Sequence, residues 1–405
     1  MIYFLKMAFR DLGRNRRRSF FSSLALGMGL ALLLLMAAVL EGEMRGSMDL
    51  SIKLQSGDLQ VRSQTYDENK NSLAWQDLVE NPEAVAAQIA TLAPVKAATP
   101  RLFASGIVAS GDQTLGVRIL GIDPPSAAND PFREGMVSGE FLTADDRQGI
   151  LVGQPLAENL GLKTGDSLNL LVNTSNGDVD EQAFVIRGIY STHTPSYDQT
   201  TIFMPLAKAQ AITQTENHAS TIFVLLNNRD QAGAVASALQ TGQYQVQTWQ
   251  QMNELILQTE QFAGAYMYML YLIVLGITAT VIINTLIMAV FERTREIGIL
   301  AAIGMKGRRI MAMFFAESAL LAVGGIFMGL VLGGLMVLYA TRVGFYIGDL
   351  GITGVLFGDR IYGYLTPQAA INLTILAFIV TLLAALYPAL LAARMEPVEA
   401  LHSGN

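Results

Sequence analysis

The side chains best suited to chemistry are few and scattered. The chain of 405 residues has no cysteine and only three histidines, His193, His218 and His402. Without thiolates there is no disulfide, no soft metal site and no cysteine nucleophile. A zinc site would have to draw most of its ligands from Asp or Glu. His193 lies in the polar stretch Thr192-His193-Thr194-Pro195-Ser196-Tyr197-Asp198 and reads as a surface-loop histidine. The pair Asp145-Asp146 reads as a solvated turn. No G-x-x-x-x-G-K-[ST] run is present, because Gly304-Met305-Lys306-Gly307 lacks both the spacing and the hydroxyl. Neither H-E-x-x-H nor G-x-S-x-G occurs. The residues therefore predict no metal site and no catalytic set.

One stretch does carry a dense pattern. Residues 290–310 read Val-Phe-Glu-Arg-Thr-Arg-Glu-Ile-Gly-Ile-Leu-Ala-Ala-Ile-Gly-Met-Lys-Gly-Arg-Arg-Ile. The spacing predicts a short amphipathic helix. Ile297, Ile299, Leu300 and Ile303 face apolar surroundings, while Glu292, Arg293, Arg295 and Glu296 stay polar. Gly304 and Gly307 end the helix. A basic anchor at a membrane surface and a docking face for a partner both fit these residues.

The elements that must hold this stretch are membrane helices. The sequence is 51% hydrophobic and 15% charged, against about 25% charged in an ordinary soluble domain. Charge is missing from four runs: Ser19–Leu40, Gln261–Phe291, Ser318–Thr341 and Pro367–Ala393. The first is 22 residues long, enough to cross a hydrocarbon core of about 30 Å. It ends in Ala-Val-Leu-Glu without a small-residue cleavage site, so it reads as an uncleaved helix rather than a signal peptide. The second is longer than a bilayer needs and predicts a helix continuing back through Trp249–Glu260. Pro388 lies near the end of the fourth, where membranes tolerate it.

Lys/Arg bias sets the orientation. Residues 1–18 hold six Lys/Arg against one acid, and residues 41–260 hold 13 against 26. An acidic large domain argues against nucleic acid, since phosphate needs a basic face. The expected order is a cytoplasmic basic segment (1–18), a first span (19–40), a periplasmic α+β domain (41–260) and a second span (261–291). A cytoplasmic loop (292–309), a third span (310–341), a short periplasmic loop (342–366), a fourth span (367–393) and a cytoplasmic tail (394–405) follow. Within 41–260, alternation predicts strands at Asp58–Arg62, Leu115–Ile119, Ser167–Val172, Phe184–Ile189 and Thr221–Leu226. Helical spacing marks Pro82–Leu92, Pro155–Leu160, Leu206–Thr213 and Gln231–Leu239, with Asn81-Pro82-Glu83 as a helix start. Residues 82–108 and 230–248 share a helix-then-strand pattern. The expectation is therefore two subdomains, with a β-rich one at about 112–212 inserted in the other.

Gly325, Gly329 and Gly333 repeat at four-residue spacing, as do Ser23, Gly27 and Ala31, so these faces can approach a neighbour closely. Glu317 is the one acid near the third span and sits at its mouth. Ion-coupled carriers need ionisable groups at mid-bilayer. Their scarcity leaves a partner to supply the energy.

Glu292-Arg293-Thr294-Arg295-Glu296-Ile297-Gly298-Ile299, with Gly304, resembles the coupling segment of the FtsX/MacB superfamily of ABC permeases. Arg14-Asn15-Arg16-Arg17-Arg18-Ser19 is similar to the family's basic entry to its first span. Tyr387-Pro388-Ala389-Leu390-Leu391-Ala392-Ala393-Arg394-Met395-Glu396-Pro397-Val398-Glu399-Ala400-Leu401 is similar to its C-terminal signature. Leu120-Gly121-Ile122-Asp123-Pro124, Ile150–Ala157 followed by Gly161–Val172, and Phe184–Tyr190 resemble the lipoprotein-releasing permeases of the Lol system. The coupling stretch reads closer to the MacB branch.

The resemblance implies a non-catalytic permease subunit of the bacterial inner membrane. It binds no cofactor itself; ATP and Mg sit on a partner ATPase that seats the coupling helix. It implies a second permease copy or a paralogue, lipoprotein cargo, and a periplasmic carrier or adaptor. Met36, Leu40, Phe262, Tyr266 and Met269 are the candidates for cargo or dimer contact. Two alternatives stay open: a MacB-like exporter of drugs, peptides or other amphiphiles in a tripartite pump, and an FtsX-like transducer of periplasmic hydrolases.

Overall fold

The computed structural model describes residues 10, 13–14, 16–67, 70, 72–110, 113–240, 242–348 and 356–395. Lys6, Asn15, residues 396–401 of the C-terminal segment, His402 and the middle of the 342–366 loop lie outside the described residues. The chain divides into two compact units. One takes residues up to Met44, 260–345 and from Ile361 onward; the other takes 45–259 and 346–360.

The first unit is helical. Its elements are α1 (Arg16–Ser51), α2 (Glu254–Glu292), the short α3 (Thr294–Ala302), α4 (Gly307–Arg342) and α5 (Pro367–Ala393). Four of these, α1, α2, α4 and α5, are long and apolar enough to cross a membrane. Helix α2 has 39 residues, about 58 Å at an α-helical rise. It does not include Trp249–Met252. That turn is a separate helix closed by a capping box, in which Gln251 accepts from the Thr248 amide at 2.9 Å, and Asn253 (φ −110°, ψ 27°) breaks the chain before α2.

Small residues decide how α1 and α4 meet. A Cβ on Gly325 would come 2.6 Å from Leu26, one on Gly329 2.9 Å from the Gly27 carbonyl, and one on Gly333 2.9 Å from Leu34. Conversely, a Cβ on Gly27 would lie 3.0 Å from the Gly325 carbonyl. The hydroxyl of Ser23 donates to the Leu321 carbonyl at 3.3 Å. The two small-residue faces therefore lie on each other within one chain. Dispersion and close backbone approach take over where lipid leaves no hydrophobic drive. Helix α2 joins through Leu275, packed with Leu30, Leu33 and Leu34, and through Ile282 and Leu286, packed with Leu26 and Leu321.

The second unit is built on one mixed sheet. Its strands are β1 (Leu59–Ser63), β2 (Val95–Ser110), β3 (Gln113–Ile122), β4 (Met136–Gly139), β5 (Gly149–Gly153), β6 (Ser167–Asn173), β7 (Val179–Tyr190), β8 (Thr201–Pro205), β9 (Thr221–Leu226) and β10 (Tyr244–Thr248). The order is β10-β1-β9-β2-β3-β8-β5-β7-β4, with β6 bridging β2 and β7. The long hairpin β2–β3 runs in register from Arg101↔Ile122 to Ser110↔Gln113. β2 first pairs with β9 and later, at Gly106–Ala109, with β6.

The strands of 112–212 thus do not form a sheet of their own, and the sheet draws no boundary between two subdomains. The apolar packing is more divided. One core gathers Leu59, Ile222, Val224 and Val246 under the helices Pro82–Ala90 and Ala232–Leu239. A second gathers Leu102, Ile119, Ile150, Leu168 and Ile202 under Gln154–Leu160 and Leu206–Thr213. A third packs Phe132, Tyr190, Tyr197 and Phe203, with the Phe132 and Phe203 rings 4.3 Å apart.

Candidate functional site: the connection between α2 and α4

The dense motif folds as a helix with a turn on either side. Helix α2 ends at Glu292, and Arg293 (φ −112°, ψ 16°) leaves helical geometry before α3 begins at Thr294. Ile297 turns inward, 1% exposed, into a cluster with Val290, Ile310, Phe314, Ala389 and Ala392. Gly298 is buried beside it.

The structure corrects two sequence expectations here. Arg293 is not on the polar face: it is buried, and its Nη1 donates to Glu317 Oε2 on α4 at 3.3 Å, with both side chains 3% exposed. Ile299 and Ile303 are not on the apolar face either; they are 44% and 80% exposed. With Glu292, Arg295 and Glu296, also exposed, they form one outward row at helical spacing. Thr294 caps locally, its hydroxyl donating to Phe291 O at 2.9 Å. Glu296 accepts from Arg14 Nη2 at 2.7 Å, an exposed pair of small energetic weight. Gly304 ends the segment at φ +95°, a conformation that suits glycine, with open space where a Cβ would stand. Lys306, Arg308 and Arg309 stay exposed just beyond it. The result is an acid–base–apolar row on the outside, clamped from inside by a buried ion pair.

The other singled-out residues are dispersed. Phe262, Tyr266 and Met269 are 77%, 57% and 52% exposed along one face of α2, while Met36 and Leu40 are half-buried on α1. His193 sits in its loop at φ +56°, with Nδ1 3.5 Å from Asp359, whose amide donates to the His193 carbonyl at 2.7 Å. Among the described residues no three His, Cys, Asp or Glu gather as metal ligands.

Sequence reasoning missed a polar junction in the second unit, where α1 ends and α2 begins. Asn253, 4% exposed, accepts from Ser51 Oγ and donates to Ser56 Oγ at 3.1 Å and to Trp249 O at 2.8 Å. Asp58 accepts from the Leu226 amide at 2.8 Å and from Arg229 Nε at 3.1 Å, and Arg229 also donates to Asp49 at 3.0 Å. Nearby, Arg101 is fully buried. Its guanidinium stacks 3.5 Å from the Phe223 ring and donates to the Leu54 carbonyl at 3.2 Å. Loss of water lowers its pKa to about 10 and pushes the Tyr197 phenol up to about 12. Asp198, held by the Thr192 amide (2.8 Å) and hydroxyl (2.7 Å), rises to about 6, because burial outweighs these hydrogen bonds. The available signal was short polar residues (Ser51, Ser56, Asp58, Asn253) at the ends of long apolar helices.

Residues 19–241 match the MacB-like periplasmic core domain, and residues 268–397 match the FtsX-like permease C-terminal domain. The chain belongs to the MacB/FtsX-like family of ABC transporter permeases. It is 24% identical over 323 residues to the lipoprotein-releasing system transmembrane protein LolE of Haemophilus influenzae, covering 76% of this chain and 78% of that one. It is 27% identical over 422 residues to the macrolide export ATP-binding/permease protein MacB of Rhodospirillum rubrum, covering 98% of this chain and 60% of that one. The periplasmic region of MacB from Actinobacillus actinomycetemcomitans superposes with a TM-score of 0.36 at 14% identity, covering 50% of this chain and 97% of that one. Family members work with an ATPase partner, and both matched domains of this chain are permease domains. Four helices long and apolar enough to cross a membrane, among the described residues, together with the match to a periplasmic core domain, make it an inner-membrane protein.

Proposed function

We propose that this permease converts ATP binding and hydrolysis by a separate ATPase subunit into motion of its periplasmic domain, and that the motion releases lipoproteins from the inner membrane. The observation that carries the reading is the outward row Glu292, Arg295, Glu296, Ile299 and Ile303. Two bare isoleucines on a charged helix are costly in water and suit a partner's groove. In this reading α3 and both termini are cytoplasmic. ATP and Mg stay on the partner.

Closure of paired ATPases draws two α3 segments together. Two copies of the permease, or this chain and a paralogue, pair through α1 and α2. The Arg293–Glu317 pair passes the displacement to α4, and the 39-residue α2 passes it along its own axis. No cargo crosses the bilayer centre. Met36, Leu40, Phe262, Tyr266 and Met269 hold its acyl chains, and a periplasmic carrier receives it. The lipoprotein-releasing relatives support this cargo class.

Arg295→Glu combined with Glu296→Arg tests the coupling step in the assembled complex. Lipoprotein release per ATP hydrolysed should fall by about tenfold or more, with the permease still folded. Undiminished release would sink the assignment. A second reading, export of an amphiphile through a tripartite pump, is favoured by the relative that matches 98% of this chain. Affinity purification from native membranes separates the two: co-purifying acylated lipoproteins support release, and an adaptor with an outer-membrane channel supports export.

A further inference from the structure

A cleft of about 470 Å³ opens in the periplasmic core domain where its apolar cores meet. Ala86 and Ala98 on one wall belong to the packing around β1 and β9; Leu206 on the other belongs to that around β5 and β8. Such junctions between packed bodies are where ligand sites recur. Much of the wall is short side chains, Ala87, Ala98, Pro100, Pro124 and Pro205, with Ile122 and Leu206 beside them. At Gly121, just before the Ile122-Asp123-Pro124 turn, a Cβ would come 2.6 Å from Ala209, so the Leu206–Thr213 helix lies tight against β3.

Two acidic residues line this space, the exposed Glu83 in the first turn of the Pro82–Ala90 helix and the half-buried Asp123 at the end of β3. Burial raises the pKa of Asp123, and the negative charge of Glu83 raises it further, so the two groups feel each other. Among the described residues, neither carboxylate meets a cation or a side-chain hydrogen-bond donor. The donor set is too small for a metal.

We infer that this cleft binds an organic cation, an alkylammonium or guanidinium group carried on a short apolar stem. Set between Glu83 and Asp123, the group forms charge-assisted hydrogen bonds to both and removes their mutual repulsion. Its methylenes lie along the alanine and proline walls, as the stems of Lys and Arg do on apolar surfaces. The site stands independently of the ATPase coupling at α3. The same chemistry has two sources, a free cationic amphiphile and a basic side chain of a partner protein.

The test uses the full chain in phosphatidylcholine nanodiscs, titrated with n-butylguanidinium and with acetyl-Pro-Arg-Leu-amide, and read by saturation-transfer NMR. Saturable binding of at least one probe is expected. Glu83→Gln and Asp123→Asn should each weaken it about tenfold, the size of one charge-assisted hydrogen bond. The double variant should abolish it, and n-pentanol should not saturate. Ala87→Phe should block binding with both carboxylates intact. A peptide at least about tenfold tighter than n-butylguanidinium assigns the site to a partner's side chain; equal affinity assigns it to a free cation. The inference is overturned if neither probe saturates. It is equally overturned if binding survives in Glu83→Gln/Asp123→Asn with an unchanged unfolding transition, or in Ala87→Phe.

Discussion

Replacing Arg293 by Met removes the guanidinium that donates to Glu317 at 3.3 Å while keeping most of the side-chain volume. Glu317 then loses this donor at 2% exposure, beside Phe314 and Ile310. Breaking a buried ion pair from one side costs about 3–5 kcal/mol, because the desolvation of the remaining group loses the offset that this partner supplied. At about 2–4 °C per kcal/mol for a unit of this size, the helical unit should melt about 10 °C lower. Glu317→Leu should cost a similar amount. The double variant Arg293→Met/Glu317→Leu removes both charges and should recover most of the loss, since apolar replacement of a whole buried pair is often neutral. Far-ultraviolet circular dichroism of the purified chain in lipid nanodiscs during heating measures all four proteins. The interaction energy should be about 3 kcal/mol or more. Losses that add within about 0.5 kcal/mol would refute the idea that this pair fastens α3 to α4.

Gly329→Val drives a side chain into Leu30 and the Gly27 carbonyl and should destabilise the α1–α4 contact by about 1–3 kcal/mol. Gly334→Val, five residues on in open space, should be nearly silent; equal effects would show that the close approach is not limiting. Asp198 predicts a pH dependence. Its folded pKa of about 6 lies above the ordinary 3.8, so the stability this group contributes to the large domain is full below about pH 4 and is lost as pH rises through about 6. The loss through this group is up to about 3 kcal/mol. Asp198→Asn should flatten that slope, read as the change in Trp75 and Trp249 fluorescence melting between pH 5 and 7, and a slope unchanged by the substitution would exclude Asp198 as its source.

What the sequence disclosed followed the strength of each physical pattern. The charge-free runs are long because a bilayer demands it, and α5 begins and ends at Pro367 and Ala393, where the run does. Thr221–Leu226 and Leu206–Thr213 also coincide with their predicted bounds. Strands β5 and β8 gave no signal because all five residues of each are buried, so neither alternates. The single sheet was hidden for a different reason: the parallel pairings β3–β8 and β5–β7 join segments far apart in sequence. At the site, charge misled. Arg293 was placed outward by its type, although it stands four residues before Ile297 and so shares its face. Together with Glu317, the acid buried in α4, that spacing pointed inward. Ile299 and Ile303 stand about 200° and 240° around the helix from Ile297, so a helix that buries Ile297 turns them outward.

Strand β2 has 16 residues, about 50 Å of extended chain. Its first half is hydrogen-bonded to β9 and its second half to β6, so a single thread belongs to two apolar cores. Neither core can melt without unzipping part of the other's ladder. The periplasmic domain should therefore lose its structure in one cooperative step, and a mechanical load applied at one core is felt by the whole sheet before any of it gives way.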